Sequence, residues 1–155
     1  MRRKDRQVED IREIESVLKK CDVCRLGMRD GDDIYVLPLN FGFRLSDSEL
    51  TLYFHSAREG RKIDIIRQKP LVGFEMDCGH QLIEAEKACE YAFRFESVVG
   101  SGRASLVEDV GEKKLALGAI MAQVSSRDFD ITDAMASSVA IIKVVSGNFS
   151  CKRHE

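Results

Sequence analysis

No apolar run in this chain approaches the roughly 20 residues of a membrane span, so no such span is expected. The opening residues, Met1-Arg2-Arg3-Lys4-Asp5, are charged and read as mobile. They lack the apolar core of a signal peptide, and the expected compartment is the cytoplasm. An excess of positive charge is missing too: 24 Lys and Arg against 26 Asp and Glu leave a net charge of −2. A general nucleic-acid binder would be strongly basic, so neither nucleic acid nor membrane is an expected partner. The chain has no Walker-type or Rossmann glycine pattern, no defensible Ser-His-Asp grouping, and no repeat, low-complexity segment or linker. One domain over residues 1–155 is the expectation, long enough for a real core.

Paired cysteine spacing is scarce. The chain has 5 cysteines, an odd number, and in the expected compartment they read as reduced thiols. Cys21-Asp22-Val23-Cys24 has C-x-x-C spacing, but a zinc site needs a second ligand pair, and no spacing ties Cys78-Gly79-His80 to it. A thioredoxin-like motif would open a helix, whereas this one opens a strand. The cysteines are therefore read as small hydrophobes, and no metal site is expected.

What is present is a series of short strands with a few helices. Val8, Ile11, Ile14, Val17 and Leu18 recur at helical spacing and predict a helix over 8–20. Strands are predicted over 21–28, 34–43 and 49–54 as an antiparallel meander, with turns at Asp30-Gly31-Asp32-Asp33 and Ser46-Asp47-Ser48. A helix over 60–68 should stop at Lys69-Pro70, because proline cannot continue it. A strand over 71–76 follows, then a polar stretch over 77–91 without a clear pattern. Two strands over 91–99 and 102–107 are read as joined by a bend at Gly100-Ser101-Gly102. Asp109 can cap a helix to about Val124, with Leu115, Leu117, Ile120 and Met121 on its apolar side. The last strand is read over 139–145, and 149–155 as a basic tail. The sum is an α+β fold, mainly antiparallel, on a closed or nearly closed barrel.

One stretch organises the rest, from Val36-Leu37-Pro38-Leu39-Asn40-Phe41-Gly42 to Phe54-His55-Ser56-Ala57-Arg58-Glu59-Gly60-Arg61-Lys62. Small residues and cations follow directly on a buried strand. Ser56, Ala57 and Gly60 let a ligand approach the backbone. Arg61 and Lys62 bring charge to a helix start, where they oppose the dipole and gain nothing for stability. Free N–H groups and cations together suit a phosphate, though a basic pair at a helix start is also compatible with plain solvation. Pro38 reads equally as a bulge aimed at a cavity or as an edge-strand residue. His55 is the one histidine inside a motif, either a hydrogen-bonding structural residue or a functional group.

Tyr53-Phe54-His55-Ser56-Ala57, with Gly60-Arg61-Lys62-Ile63-Asp64-Ile65-Ile66 and Lys69-Pro70-Leu71-Val72-Gly73-Phe74-Glu75-Met76-Asp77, resembles the flavin-binding split-barrel proteins related to pyridoxamine 5'-phosphate oxidase. Within them it is most similar to the nitroimidazole-resistance (Nim-type) branch, over nearly the whole chain. The resemblance implies a split β-barrel that binds FMN, and a homodimer with two sites between subunits. Carried over residue by residue, the phosphate grip falls on His55, Ser56, Arg61 and Lys62, with Ala57 and Gly60 in the same loop. Ring contacts fall on Leu37, Pro38, Leu39 and Asn40, and the segment from Gly100 to Arg103 adds to them. Relatives carry a Gly-Lys step where this chain has Cys151-Lys152, and Lys152 is the residue that would reach the partner's site. The implied function is an FMN-dependent oxidoreductase of a small-molecule substrate, reducing nitroaromatic or nitroimidazole compounds, with His55 as proton donor. The alternative is a non-enzymatic flavin- or haem-binding protein on the same barrel. No copy of the substrate-phosphate arginines of the oxidase itself is present, so vitamin B6 oxidation is not expected. In a lone subunit Leu37 and Leu39 are expected to face water, which a second copy would relieve.

Overall fold

The computed structural model describes residues 4–155; Met1–Arg3 of the charged N-terminal stretch lie outside the described residues. After a 3-10 turn at Lys4–Arg6, the two-residue strand β1 (Gln7–Val8) leads to α1 (Ile11–Lys20). The helix starts later than its apolar spacing suggests. Asp10 is extended and its carboxylate accepts the Arg12 N–H at 2.7 Å, which fixes the first turn there. Val8 belongs instead to β1 and pairs with Cys151.

The hairpin β2 (Cys24–Asp30) and β3 (Asp33–Leu39) turns at Gly31, and β4 (Gly42–Leu45) and β5 (Leu50–Ser56) form a second hairpin. The expected single strand over 34–43 is thus two, and the expected meander is not formed. The chain continues through α2 (Arg61–Gln68), β6 (Leu71–Ile83), a 3-10 turn at Ala88–Glu90, β7 (Ala92–Leu106), α3 (Val110–Val124), α4 (Asp133–Ser138) and β8 (Ala140–His154). The strands run β3-β2-β6-β7-β8-β5-β4 in one antiparallel sheet, with β1 beside β8.

The sheet is not closed by hydrogen bonds, because β3 and β4 lie at its two opposite edges. Yet only Asn40 and Phe41 separate them. Three Cα–Cα steps span at most about 11 Å, so the sheet must curl until its edges meet at that corner. The link is fixed there: Phe41 is fully buried, and the Asn40 amide donates to the Asp22 carbonyl at 3.0 Å. β4 pairs only with Leu50–Tyr53, so Phe54–Ser56 have no strand on that side. The result is a split barrel. Pro38 pairs with Arg25 in an unbroken register on edge strand β3, so the edge reading holds and the bulge does not.

Two further expectations are corrected, and one open stretch is resolved. Gly100-Ser101-Gly102 is no bend between two strands: it lies inside continuous β7, at a shift in its register with β8. A Cβ on Gly102 would sit 2.5 Å from the Val145 carbonyl oxygen, so close backbone approach explains the glycine. The basic tail is strand too, since β8 reaches His154 and Arg153 is held by Glu96 at 2.7 Å and Glu13 at 3.5 Å. The unpatterned stretch after Met76 continues β6 to Ile83 across an irregularity between Cys78 and Gln81.

The core fills the barrel with Leu26, Met28, Leu52, Phe54, Phe74, Met76, Val98 and Val144, joined by Val17 and Leu18 of α1 and by Ile63 and Ile66 of α2. Asp109 caps α3, accepting the Glu112 N–H at 2.7 Å. Ala116 and Ile120 of α3 pack with Tyr53 of β5 and Ile141 of β8 in a second cluster. Leu115 does not share that face and is 65% exposed. Among the described residues, no helix is long and apolar enough to cross a membrane.

Candidate functional site

The alternation of β5 decides which way the central motif points. Phe54 is buried, His55 is exposed, and Ser56 is buried again at 6% exposure. His55 and Ser56 therefore occupy opposite faces of the strand. Among the described residues the Ser56 hydroxyl has no hydrogen-bond partner. An orphaned buried hydroxyl costs about 1–3 kcal/mol, a penalty the fold carries at this position. Among the described residues His55 engages no hydrogen bond or ion pair.

Exposed residues 57–59 follow, then Gly60 caps α2 with φ 127°, a conformation open to glycine and strained for other residues. Its side chain can cap nothing. Its carbonyl accepts the N–H groups of Ile63 at 2.9 Å and Asp64 at 3.2 Å. The amides of Arg61 and Lys62 are left without an intrahelical acceptor at the positive end of the helix dipole. Lys62 is half-buried and has no partner among the described residues. Arg61 is engaged: its Nε donates to Asp30 Oδ2 at 2.7 Å, and its guanidinium carbon lies 4.3 Å from the centre of the Tyr35 ring.

The expected ring contacts divide. Leu37 and Leu39 turn inward and pack on the core, which corrects the expectation that they face water. Pro38 and Asn40 are not turned into the core in the same way, and Asn40 spends part of its amide on Asp22. What β3 shows to solvent is Ile34, 72% exposed, and Val36, 57% exposed. Val36 faces Gly27 of β2, Gly27 faces Gly73 of β6, and Gly73 faces Ser101 of β7. Leu71 and Val99 flank this row and are exposed. A strip of bare backbone thus lies on the outer sheet face, edged by Leu71 and Val99 on one side and by Arg25, Arg29 and Glu75 on the other. Sequence reasoning missed it; the available signal was a glycine at an outward position of two alternating strands. Arg103 stands at the edge of this face, opposite Leu71, without a partner among the described residues. The cavity touching Arg61, about 340 Å³, is lined by Asp30, Asp64 and Lys69 among others but by neither His55 nor Ser56.

The cysteines form no ligand set. The Cys78 thiol is directed at Glu96 Oε2, 3.9 Å away. Burial pushes the Cys24 thiol up to about 12 and the Cys151 thiol to about 11, so both stay protonated and unreactive near neutrality. Among the described residues no group of His, Cys, Asp and Glu is placed to hold a metal ion.

An antiparallel split barrel with an open seam, a glycine-capped helix start beside that seam and an orphaned serine place the chain among the split-barrel proteins. The model of the pyridoxamine 5'-phosphate oxidase family matches residues 10–152, and the chain belongs to that family. Within it, the chain is similar to a candidate 5-nitroimidazole antibiotic resistance protein from Bacteroides thetaiotaomicron: 32% identity, 96% of this chain, 89% of that chain and a TM-score of 0.75. The likeness to the nitroimidazole-resistance branch read from the central motif therefore holds. The flavocytochrome Anf3 of Azotobacter vinelandii shares the fold at 18% identity and TM-score 0.79, covering 100% of this chain and 72% of that one. So does an FAD- and haem-binding protein of Mycobacterium smegmatis, at 14% identity and TM-score 0.75, covering 97% and 74%. No curated protein matches the chain.

Proposed function

We propose that this chain binds FMN and works as a homodimeric oxidoreductase that reduces nitroaromatic compounds, nitroimidazoles among them. The observation that carries the flavin reading is the buried Ser56 hydroxyl without a partner beside the open start of α2. A phosphate dianion supplies what both lack. It accepts from the hydroxyl and from the free amides, and Lys62 and Arg61 balance its charge. The glycine strip on the outer sheet face is suited to a flat apolar ring, and backbone groups on the free edge of β3 are available to the ring's polar rim.

Bound flavin would supply the electron chemistry; the chain supplies position and proton handling. His55, on the outer face of β5 and unengaged, is the group to hold a proton for a reducing nitro substituent, separate from the phosphate grip. The nitroimidazole-resistance relative is the basis for that substrate class. A second copy laid over Ile34, Val36, Leu71 and Val99 would cover the exposed apolar strip and wall the ring. The cytoplasm is the proposed compartment. The same fold in the flavocytochrome and in the FAD- and haem-binding protein keeps a second reading in view, a non-enzymatic flavin or haem carrier.

The absorption spectrum of the purified protein, with titrations of FMN, riboflavin and haem, tests this. The two-banded spectrum of an oxidised flavin and tighter binding of FMN than of riboflavin are expected. A lone Soret band, or equal affinity for the two flavins, refutes the phosphate reading. Consumption of a nitroimidazole by the chemically reduced protein tests the enzymatic part, and its absence leaves the carrier reading.

A further inference from the structure

We propose that Asp30 and Tyr35 are positioning residues for the phosphate grip, fixing the Arg61 guanidinium so that its two terminal nitrogens are presented to the anion. The inference rests on the FMN reading above and goes beyond the grip to the device that aims it. Arg61 is the first residue of α2, and a long side chain there would ordinarily sample many rotamers. Two contacts remove that freedom. Asp30 Oδ2 takes the Nε–H at 2.7 Å, and the Tyr35 ring lies under the guanidinium plane at 4.3 Å, within cation–π range. Both partners come from the β2–β3 hairpin, with Met28 opposite Tyr35 and Asp30 opposite Asp33. The hairpin thus grips the side chain by one edge and one face.

A guanidinium carries five N–H donors, and Asp30 uses the single one on Nε. The fork formed by the two terminal nitrogens has no partner among the described residues, and that edge matches two oxygens of a phosphate. Asp30 has no other partner among the described residues, so its carboxylate is dedicated to this arginine. A carboxylate so close could instead compete with the phosphate for the arginine. The geometry points the other way, because a competitor would occupy the fork and Asp30 leaves it open.

The test compares dissociation constants for FMN and riboflavin in the wild-type protein, Asp30→Ala, Asp30→Asn, Tyr35→Leu, Arg61→Ala and the double variant Asp30→Ala/Arg61→Ala. Asp30→Ala should weaken FMN about five- to tenfold and leave riboflavin unchanged. Asp30→Asn keeps an acceptor for Nε and should retain most of the FMN affinity. Tyr35→Leu should fall between them. The double variant should bind FMN no worse than Arg61→Ala alone, since Asp30 acts only through Arg61. Tighter FMN binding in both Asp30 variants would make the carboxylate a competitor and overturn the proposal. An equal loss for riboflavin would reduce it to hairpin stability, and full additivity with Arg61→Ala would break the link between the two residues. If the wild-type protein itself does not prefer FMN, the phosphate reading falls, which is a different failure from a wild type that discriminates and an Asp30→Ala variant that still does.

Discussion

Replacing Ser56 with alanine removes a hydroxyl that is buried to 6% exposure and makes no hydrogen bond. Leaving such a group unsatisfied costs about 1–3 kcal/mol, and mutational scales for a buried hydroxyl give a similar range. The void left by one oxygen returns a small part of that. The unliganded Ser56→Ala protein should therefore be more stable by about 1 kcal/mol, which for a chain of this length raises the melting temperature by roughly 2–4 °C. With FMN present the sign reverses. A hydrogen bond to a charged phosphate contributes about 1.5–3 kcal/mol, so FMN affinity should drop roughly 10- to 150-fold. Ligand-dependent stabilisation follows the ratio of ligand concentration to dissociation constant, so the variant gains little from FMN where the wild type gains much. Thermal melts with and without FMN read both effects, and the two proteins should exchange rank as FMN is added. A variant that melts lower without ligand, or that binds FMN as tightly as the wild type, would show that Ser56 is not held for an anion.

Three other outcomes are expected. His55→Gln should keep FMN binding while nitroimidazole turnover by the reduced protein falls at least about tenfold, general acid catalysis being worth typically about 10²- to 10⁴-fold; a parallel loss of binding would make His55 a cofactor or structural contact. Sedimentation should give a species of about twice 17.5 kDa, and Val36→Lys on the outer face should shift it towards monomer, whereas a wild-type monomer that binds flavin tightly would refute the assembly. Burial raises the Cys24 thiol from 9.0 to about 12 and that of Cys151 to about 11; the fold prefers these thiols protonated, so this stability is complete below the unfolded value and is lost as pH climbs through 11–12. Urea midpoints measured upwards from pH 8 should fall, and substituting Cys24 with valine should flatten that decline.

Local chemistry made part of this molecule readable from its sequence. Gly60 and Pro70 bracket α2, Asp109 starts α3, and Gly31 turns the first hairpin, because caps, proline stops and tight turns act over a few residues. The central motif was legible as a site for the same reason: Ser56, Gly60, Arg61 and Lys62 are near neighbours in the chain. What stayed hidden depends on distant pairing. Gly102 looks like a turn until Val145 is laid against it. Arg153 looks like part of a polar tail until Glu96 meets it from the neighbouring strand. The glycine strip exists only because Gly27 and Gly73 are brought side by side, and the partner of Arg61 lies 31 residues upstream. That Leu37 and Leu39 face the core was not legible, because alternation in a half-buried strand does not announce which face is inside.

The segment running from β3 into β4 is in effect one bent strand that serves two masters, first β2 and then β5, and it lets go of one before it takes hold of the other. The place where it lets go sets the aperture. Tyr53 is the last residue of β5 that β4 holds, so Phe54, His55 and Ser56 remain unzipped, an edge of roughly 10 Å at about 3.3 Å per residue. Were Phe41 and Asn40 to continue the β4 register against β5, they would face Phe54 and His55 and leave Ser56 alone unpaired on that side. Were the strand to release β5 one residue sooner, the open edge would lengthen by one residue and the buried pair Gly42 and Tyr53 would have to part. The release point is thus pinned from inside, since the two residues that straddle it are both buried, Phe41 in the core and Gly42 against the backbone of Ala119 and Ile120.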